Sequence, residues 1–239
     1  MRKAVRERLR SVNRAFYDEH SGSFSSTRGR AWAGWTRAVP EAPRSVLDLG
    51  CGNGRFERYL EEQDRNAALE RYVGTDTSLS LLDCARRQTS RPGVHFVQHD
   101  LEHLAGTFRL SFDLTVAFGV LHHVPGEEQR TDFLRSAAAT LTPEGRLLVT
   151  CWQFQEDPRF ASRCAEWRSI GLREDDVEPG DALLRWGDSG DASAVRYCHA
   201  TAPDELTRLA RSSKLELADT FYADGKSGRL NLYAVLRRV

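Results

Sequence analysis

Three glycines in one short loop constrain this 239-residue chain more than any other feature. The stretch VLDLGCGNGRFERYL, residues 46–60, joins an apolar run to an amphipathic one, and the glycines stand at the junction. A glycine-rich loop between a strand and a helix lets backbone N–H groups approach a ligand that a Cβ would repel. The spacing Gly50-x-Gly52-x-Gly54 differs from the dinucleotide fingerprint, whose third small residue would fall at Arg55. The loop therefore predicts a ligand cradle, with a tight strand–helix turn as the structural alternative.

Short β-branched runs alternate with helical patterns over residues 46–150, which predicts βαβ units. The predicted fold class is α/β: a Rossmann-like, seven-stranded, mostly parallel sheet with helices on both faces, closed by an antiparallel hairpin. We expect one domain over residues 1–239, with an N-terminal helix and lid at 1–40 and a core at 41–152. An inserted cap at 153–200 and a C-terminal helix and hairpin at 201–239 complete it.

Charge and composition exclude several classes of function. The formal net charge is +0, so no global field favours nucleic acid or an anionic membrane. No apolar run approaches the roughly 18 residues of a membrane helix, and the N-terminus lacks a secretory apolar region, so a cytoplasmic protein without a membrane partner is predicted. Local charge is uneven, since residues 1–37 carry nine basic and three acidic side chains, and residues 153–195 carry five and ten.

Cysteine and histidine spacings predict no metal site. The five cysteines are scattered without a CxxC pair, which is typical of reduced thiols rather than of a disulfide framework or a zinc knuckle. His99 and His103 have an H-x3-H spacing, but a third ligand in register is missing.

Two carboxylates follow neighbouring predicted strands. Asp76 ends the second strand, where it can accept both hydroxyls of a ribose, and Asp100 ends the third, where it can meet an adenine amino group. The carboxyl ends of parallel strands open on one crevice, where open α/β sheets bind their ligands. Each acid alone would also suit a solvated loop or a helix cap. Together with the glycine loop they predict a nucleoside cofactor.

The ordered motifs VLDLGCGNG, VGTD, VQHD and FDLTVAFGVLHHVP, closed by NLYAVLRRV, resemble the class I S-adenosylmethionine-dependent methyltransferases over nearly the whole chain. The resemblance implies S-adenosylmethionine as cofactor, S-adenosylhomocysteine as product and residues 41–152 as the cofactor-binding core. The cofactor-binding residues that it implies are Tyr17, Arg28, Trp32, Asp48, Gly50, Cys51, Gly52, Asp76, Thr77, Asp100, Leu101 and Phe118.

The same resemblance implies individual roles. The glycine loop would line the methionine part of the cofactor, with Asp48 orienting the loop and the amino group. Phe118 would lie beneath the sulfonium, and Tyr17 and Arg28 near the methionine carboxylate. Tyr17 as core filling is the structural alternative.

The flanking segments FYDEHSGSFSSTRGRAW, VTCWQF and RYCHATAPDEL resemble the tRNA wobble-uridine carboxymethyl methyltransferases. That group methyl-esterifies a carboxymethyl on the first anticodon base, and its eukaryotic members work with a small zinc-binding activator subunit. The resemblance therefore implies tRNA as the acceptor and an activator subunit as a partner.

The chemistry of the acceptor decides which side chains are needed. A carboxylate acceptor needs no base but requires a cation on one oxygen, for which Arg28, Arg196 and Arg229 are candidates. A hydroxyl or amine acceptor needs a general base. The candidates for that base are His122, His123 and His199.

His123 and His122 are the predicted catalytic residues, because they directly follow the fourth strand beside the expected methyl group. The predicted substrate-binding residues are Arg196, Tyr197, His199, Arg229 and Asn231. Packing at a helix entry or under the cofactor is the structural alternative for the histidines and for residues 196–199.

The N-terminal stretch places Val5, Leu9, Val12 and Phe16 on one stripe, which predicts an amphipathic helix with an arginine-rich back. Packing across the edge of the sheet is the structural interpretation of this helix, and contact with phosphates is the functional one.

Three functions remain compatible with the sequence. The first is a tRNA carboxymethyl methyltransferase, which the flanking segments favour. The second is an O- or N-methyltransferase of a small metabolite or natural product, which zero net charge and an acidic cap favour. The third is a non-catalytic cofactor-binding module.

Overall fold

The structure is a computed structural model. It describes residues 1–26, 29–63, 65, 68–89, 91–101, 104, 106–108, 110–187 and 194–239, and at position 24 the backbone alone. Its α-helices are α1 (Lys3–Ser26), α2 (Trp35–Ala38), α3 (Arg55–Glu62), α4 (Leu79–Gln88), α5 (Glu127–Ala138), α6 (Pro158–Ala161) and α7 (Pro203–Ser212). Its strands are β1 (Ser45–Leu49), β2 (Arg71–Asp76), β3 (Val94–Gln98), β4 (Phe112–Ala117), β5 (Leu141–Trp152), β6 (Cys164–Ala165), β7 (Asp181–Arg185), β8 (Val195–His199), β9 (Leu215–Ala223) and β10 (Asn231–Arg238).

Seven of the described strands form one sheet in the order β3-β2-β1-β4-β5-β10-β9. The first five strands of this order pair in parallel, whereas β10 is antiparallel to both β5 and β9. The predicted fold class, including the closing hairpin, is therefore confirmed. Since β1 to β4 run in parallel, the residues that follow them meet at one edge of the sheet.

Helices cover both faces of this sheet. Leu47 and Leu49 of β1 point to one face, where they pack in a cluster with Leu134 of α5 and Leu206 of α7. Val46 points to the other face and packs in a cluster with residues of α3 and α4. The alternation along β1 is the period of two that a strand imposes on its side chains. All five residues of β1 are buried, as is typical of a central strand that is covered on both faces.

The inserted segment carries a small sheet of its own, with strands β6, β7 and β8 in that order, all antiparallel. Helix α1 buries Val5, Leu9 and Val12 against this cap, in a cluster with Trp167 and Tyr197. The predicted apolar stripe is thus present, but the expectation that it packs across the edge of the large sheet is wrong.

Helix α4 begins with a side-chain cap and buries one of its faces. Ser78 caps the helix, accepting a hydrogen bond from the backbone N–H of Leu81. Leu82 and Ala85 are buried, whereas Leu79, the first residue of the helix, is 53% exposed. None of the described helices is long and apolar enough to cross a membrane.

Candidate functional site

A cavity of about 760 Å³ opens where β1, β2 and β4 end, and side chains of α1 form one of its walls. Every predicted cofactor residue within the described ranges lines it: Tyr17, Trp32, Asp48, Gly50, Cys51, Gly52, Asp76, Thr77, Asp100, Leu101 and Phe118. Arg28 lies outside the described residues. Residues from six segments of the chain thus meet in one crevice, at the edge of the sheet where the sequence placed it.

The glycine loop is shaped by backbone conformation and by close packing. Gly50 has φ +71°, and a Cβ there would lie 2.5 Å from Cγ2 of Val120. Gly52 has φ +56°, and a Cβ there would meet nothing within 4 Å. The first glycine is therefore required by the protein's own packing. The second leaves the backbone open toward the cavity, which is what a cradle for a ligand needs.

Asp76 is held by the backbone on both carboxylate oxygens. Its Oδ2 accepts a hydrogen bond from the Gly52 N–H and its Oδ1 one from the Ser78 N–H, each at 2.9 Å. Burial raises the pKa of Asp76, and these backbone donors partly offset that effect by favouring the charged form. A carboxylate with both oxygens fixed in this way presents its remaining lone pairs in a set direction.

Asp48 is fully buried at the floor of the same crevice and accepts a hydrogen bond of 2.5 Å from Oη of Tyr72. Burial raises the pKa of Asp48 to about 7, and the hydrogen bond from Tyr72 opposes the rise. This carboxyl therefore changes its protonation state near neutral pH, next to the glycine loop.

His123 belongs to a network that joins α1, the cap and the turn after β4. Its Nδ1 lies 2.9 Å from the backbone oxygen of Tyr197, and its Nε2 lies 2.7 Å from Oη of Tyr17. Asn13 is buried beside the pair, with Oδ1 accepting from the Tyr197 N–H at 2.7 Å and Nδ2 lying 3.2 Å from Nδ1 of His123. Both predicted histidines line the cavity, and His122 is buried there.

Arg196 is a buried cation at the cap side of the cavity, 5% exposed. Its guanidinium carbon lies 4.9 Å from the ring centroid of Trp152, 5.2 Å from that of Trp186 and 5.5 Å from that of Phe16. Its Nε is buried without a hydrogen-bond partner. Throughout the described part of the chain, no carboxylate forms an ion pair with it. A buried charge of this kind is costly unless an anion completes it.

The other predicted substrate residues divide into two groups. Asn231 lines the cavity, where it is buried and donates from Nδ2 to Oδ2 of Asp224 at 2.8 Å. Tyr197, His199 and Arg229 do not line it. Arg229 stacks on the ring of Tyr222 at the surface, 3.9 Å from its centroid.

His199 belongs to a buried ionic cluster behind the cap. Its Nδ1 lies 2.7 Å from Oδ1 of Asp181, and its Nε2 lies 2.9 Å from Oε2 of Glu205. Arg130 bonds the same Glu205, and Tyr197 donates its hydroxyl to Asp181. Burial lowers the pKa of His199, but its hydrogen bonds to the two carboxylates outweigh that effect and raise it. The polar side-chain atoms of these residues are used in hydrogen bonds within the protein, and neither Tyr197 nor His199 lines the cavity.

Two groups of side chains bring three possible metal ligands each within 4.8 Å, in the portion of the chain that the structure covers. They are His122, His123 and Cys198, and Glu178, Asp181 and His199. In both groups an imidazole already uses its two ring nitrogens in hydrogen bonds. The absence of a metal stays a prediction.

Several cavity residues were not among the predicted site residues. They are Asn13 on α1, Trp152 at the end of β5, Phe160 on α6, and Trp186 after β7. Trp152 is the last residue of a strand that ends at the crevice and lies in the segment VTCWQF, and this position was the one available signal. The other three come from segments that only the tertiary fold brings to the site.

This strand order, with a glycine loop and two acids at the strand ends, defines a Rossmann-like nucleotide-binding protein. Residues 47–149 match the family model of the methyltransferase domain. A protein of Encephalitozoon cuniculi named as a methyltransferase is 31% identical over 209 residues, which cover 85% of this chain and 87% of that protein. The chain belongs to the class I S-adenosylmethionine-dependent methyltransferases, and S-adenosylmethionine is its cofactor.

Two more distant relatives are named for their substrates. The tRNA (carboxymethyluridine(34)-5-O)-methyltransferase of Saccharomyces cerevisiae is 27% identical over 150 residues, 59% of this chain and 47% of that enzyme. The trans-aconitate 2-methyltransferase of Acidovorax sp. is 40% identical over 90 residues, 38% of this chain and 32% of that enzyme. The matches thus span less than half the length of these two relatives.

Solved structures share the fold at low sequence identity. The 1,6-didemethyltoxoflavin-N1-methyltransferase of Burkholderia thailandensis, solved with S-adenosylhomocysteine, has a TM-score of 0.64 at 21% identity, covering 98% of this chain and 88% of that one. A methyltransferase in complex with the Haloferax volcanii Trm112 activator has a TM-score of 0.63 at 15% identity, covering 94% and 96%.

Proposed function

We propose that this enzyme transfers the methyl group of S-adenosylmethionine to a carboxylate oxygen and so forms a methyl ester. The observation that supports the proposal is Arg196, a guanidinium that is 5% exposed, lines the cavity and has no acidic partner among the described residues. Arginine's planar fork matches the two oxygens of a carboxylate. The acceptor's carboxylate would supply the anion that this buried cation lacks.

The cofactor would occupy the part of the cavity next to the glycine loop. Gly52 is open toward it, and the carboxylate of Asp76, fixed by two backbone donors, suits the hydroxyls of a ribose. Asp100 and Leu101 would contact the adenine, and Asp48 the ammonium group. S-adenosylmethionine supplies a methyl group that its positive sulfonium already activates. The protein's task is therefore to align the acceptor and to exclude water.

In this proposal Arg196 holds one carboxylate oxygen while the other oxygen forms a bond to the methyl carbon. The bond between that carbon and sulfur breaks, and its electron pair stays on sulfur. No proton moves, since the attacking group is already an anion. The phenyl and indole rings around Arg196 keep water from the guanidinium and so strengthen its attraction for the acceptor.

Our first candidate acceptor is the carboxymethyl group of a tRNA wobble uridine. The yeast relative is named for that acceptor. The row of arginines on α1 also supports it, because Arg6, Arg10 and Arg14 line the cavity at spacings of four residues and could contact phosphates. A small activator subunit is part of this proposal, and a protein of the same fold forms a complex with the Trm112 activator.

The second candidate is a small-molecule acceptor. The Acidovorax relative is named for trans-aconitate, which carries carboxylates. A separate observation favours an acceptor that must lose a proton: the hydrogen-bonded pair of Tyr17 and His123 at the cavity wall could accept one. A non-catalytic module is the least supported function, since the features for binding cofactor and acceptor are both present.

The decisive experiment incubates the purified protein and labelled S-adenosylmethionine with host extract, divided into tRNA-sized RNA and small metabolites. We expect label that mild base removes, as it does from an ester. Label in RNA supports the tRNA acceptor, and label in metabolites supports the small acceptor. Label that resists base in both fractions would contradict ester formation.

The matched variants are Arg196→Met and Arg196→Lys. Methionine keeps the length and the apolar packing but removes the charge, whereas lysine keeps the charge without the planar fork. We expect at least a tenfold rise in acceptor KM for Arg196→Met and a smaller rise for Arg196→Lys, with unchanged affinity for S-adenosylhomocysteine. Loss of cofactor affinity in both variants would contradict the assignment of Arg196 to the acceptor site.

A further inference from the structure

We infer that the acceptor carries its carboxylate on a flat aromatic ring, and that Trp152 and Trp186 bind this ring. We call these two side chains the indole pair. The inference rests on the proposed function, because it extends outward from the carboxylate that Arg196 would hold. It specifies the chemical group to which the acceptor's carboxylate is attached, which neither Arg196 nor the cofactor site determines.

The indole pair is placed directly beside the guanidinium. The ring centroids of Trp152 and Trp186 lie 4.9 and 5.2 Å from the guanidinium carbon of Arg196, and both rings line the cavity. Both are partly exposed, whereas Phe16, the third ring near Arg196, is buried. The surface next to the bound carboxylate is therefore aromatic, and it belongs to the indole pair.

Each indole is fixed by contacts with neighbouring side chains. Trp186 donates from Nε1 to Oγ of Ser23 at 3.3 Å and meets Phe16 edge to face, with centroids 5.6 Å apart. Trp152 packs edge to face on Phe160, with centroids 4.8 Å apart, and lies 5.1 Å from Phe154. Rings that are already held in this way lose little freedom when a ligand binds.

The rings also limit how a carboxylate reaches Arg196. The guanidinium carbon lies over the rings of both indoles, so the oxygens of a carboxylate that binds Arg196 come next to those rings. The atoms attached to the carboxylate then lie in the space bordered by the indole pair. A flat ring there makes stacked or edge-to-face contacts that a puckered aliphatic ring of equal size cannot make.

The test compares two acids that differ in this property alone. Phenylacetate and cyclohexylacetate have the same charge and the same carboxymethyl group, but only the first has a flat ring. Binding to the protein saturated with S-adenosylhomocysteine is measured by calorimetry, so that no methyl transfer is required. We expect phenylacetate to bind about tenfold more tightly, the effect of one to two aromatic contacts.

Variants assign the preference to the indole pair. Trp152→Leu and Trp186→Leu should each reduce the preference for phenylacetate while leaving the affinity for cyclohexylacetate within about twofold. Arg196→Met should weaken both acids together. Trp167→Leu, a change in the apolar cluster of the cap, is the control for general damage to that region. Equal binding of the two acids by the wild type, or a preference that survives both indole changes, would overturn the inference.

The source of the ring is tested separately with labelled S-adenosylmethionine. One arm offers free aromatic acids, free aliphatic acids and free 5-carboxymethyluridine, and the other offers tRNA that carries 5-carboxymethyluridine. Label in either arm supports a flat-ringed acceptor and identifies its source, while label confined to aliphatic acids contradicts it. A binding preference without any ester product would retain the indole pair as a ring-binding site and reject the proposed esterification.

Discussion

Oη of Tyr17 lies within hydrogen-bonding distance of Nε2 of His123, at 2.7 Å. The other ring nitrogen, Nδ1, lies 2.9 Å from the carbonyl oxygen of Tyr197 and 3.2 Å from Nδ2 of Asn13. Residues from the cap and from α1 thus hold the imidazole by both of its ring nitrogens.

This pair distinguishes the two candidate chemistries. If the acceptor is a carboxylate, Tyr17→Phe should leave the pH profile of methyl transfer flat between about pH 6 and 9, because no proton is abstracted. The measurement is kcat/KM for the acceptor against pH, for the wild type and the variant, at saturating S-adenosylmethionine so that the pH dependence of cofactor binding does not enter. A wild-type rate that falls tenfold per pH unit on the acidic side, and loses this dependence in the variant, would instead indicate a base-assisted transfer.

Asp76 should be essential for cofactor binding. Asp76→Ala removes a carboxylate whose hydrogen bonds to a ligand are charge-assisted, each contributing about 1.5–3 kcal/mol. We expect the affinity for S-adenosylhomocysteine to fall by at least about 100-fold in calorimetry. Asp219→Ala, at an exposed carboxylate on β9, is the matched control. Affinity retained in Asp76→Ala would place the ribose elsewhere.

Cofactor binding should depend on pH through Asp48. Its pKa of about 7 means that the carboxyl is mostly protonated below neutrality, whereas an ammonium ligand requires the ionised form. The affinity for S-adenosylhomocysteine should therefore weaken about tenfold per pH unit below 7 and level off above it. Asp48→Asn should bind weakly at every pH. A wild-type affinity that does not change from about pH 5.5 to 8 would contradict the proposed contact between Asp48 and the cofactor's amino group.

Substitutions at two glycines of the loop should have different effects. Gly50→Ala adds a Cβ 2.5 Å from Val120 as well as left-handed strain, so we expect a loss of stability of about 2–4 kcal/mol. Gly52→Ala meets open space and should cost only the strain, about 1–2 kcal/mol. Its main effect should be on cofactor affinity, since the new methyl group faces the cradle. Denaturant unfolding and calorimetry measure the two effects, and equal losses of stability would contradict this division.

His199 should contribute to stability and not to substrate binding. His199→Gln breaks hydrogen bonds to Asp181 and Glu205, and we expect a loss of about 1.5–3 kcal/mol with acceptor KM unchanged. Because the folded protein raises the pKa of this histidine above 6.5, its contribution is complete at low pH and disappears as pH rises through the raised value. Thermal unfolding at several pH values measures this. A rise in acceptor KM without a loss of stability would instead indicate that His199 belongs to the substrate site.

Site residues that belong to local sequence motifs could be predicted from the sequence. The glycine loop, Asp76 and Asp100 each follow a strand, and parallel strands bring such residues together wherever the sheet forms. Arg196 was a candidate on its chemistry alone, but its indole partners were not, because Trp152 and Trp186 lie 34 positions apart and meet only through the cap. His199 has the residue type of a catalytic group, yet its partners on β7 and α7 make it part of the cap's support.

Helix α1 forms a wall of the cavity that spans both of the proposed ligand positions. Arg14 pairs with Asp100, where we propose the adenine, Tyr17 contacts His123, and Phe16 lies beside Arg196, where we propose the acceptor. The same helix is fastened to the cap by its apolar stripe. In the proposed arrangement, a displacement of α1 would widen the space around both ligands at once. Departure of the methylated product and of S-adenosylhomocysteine would then depend on the same motion.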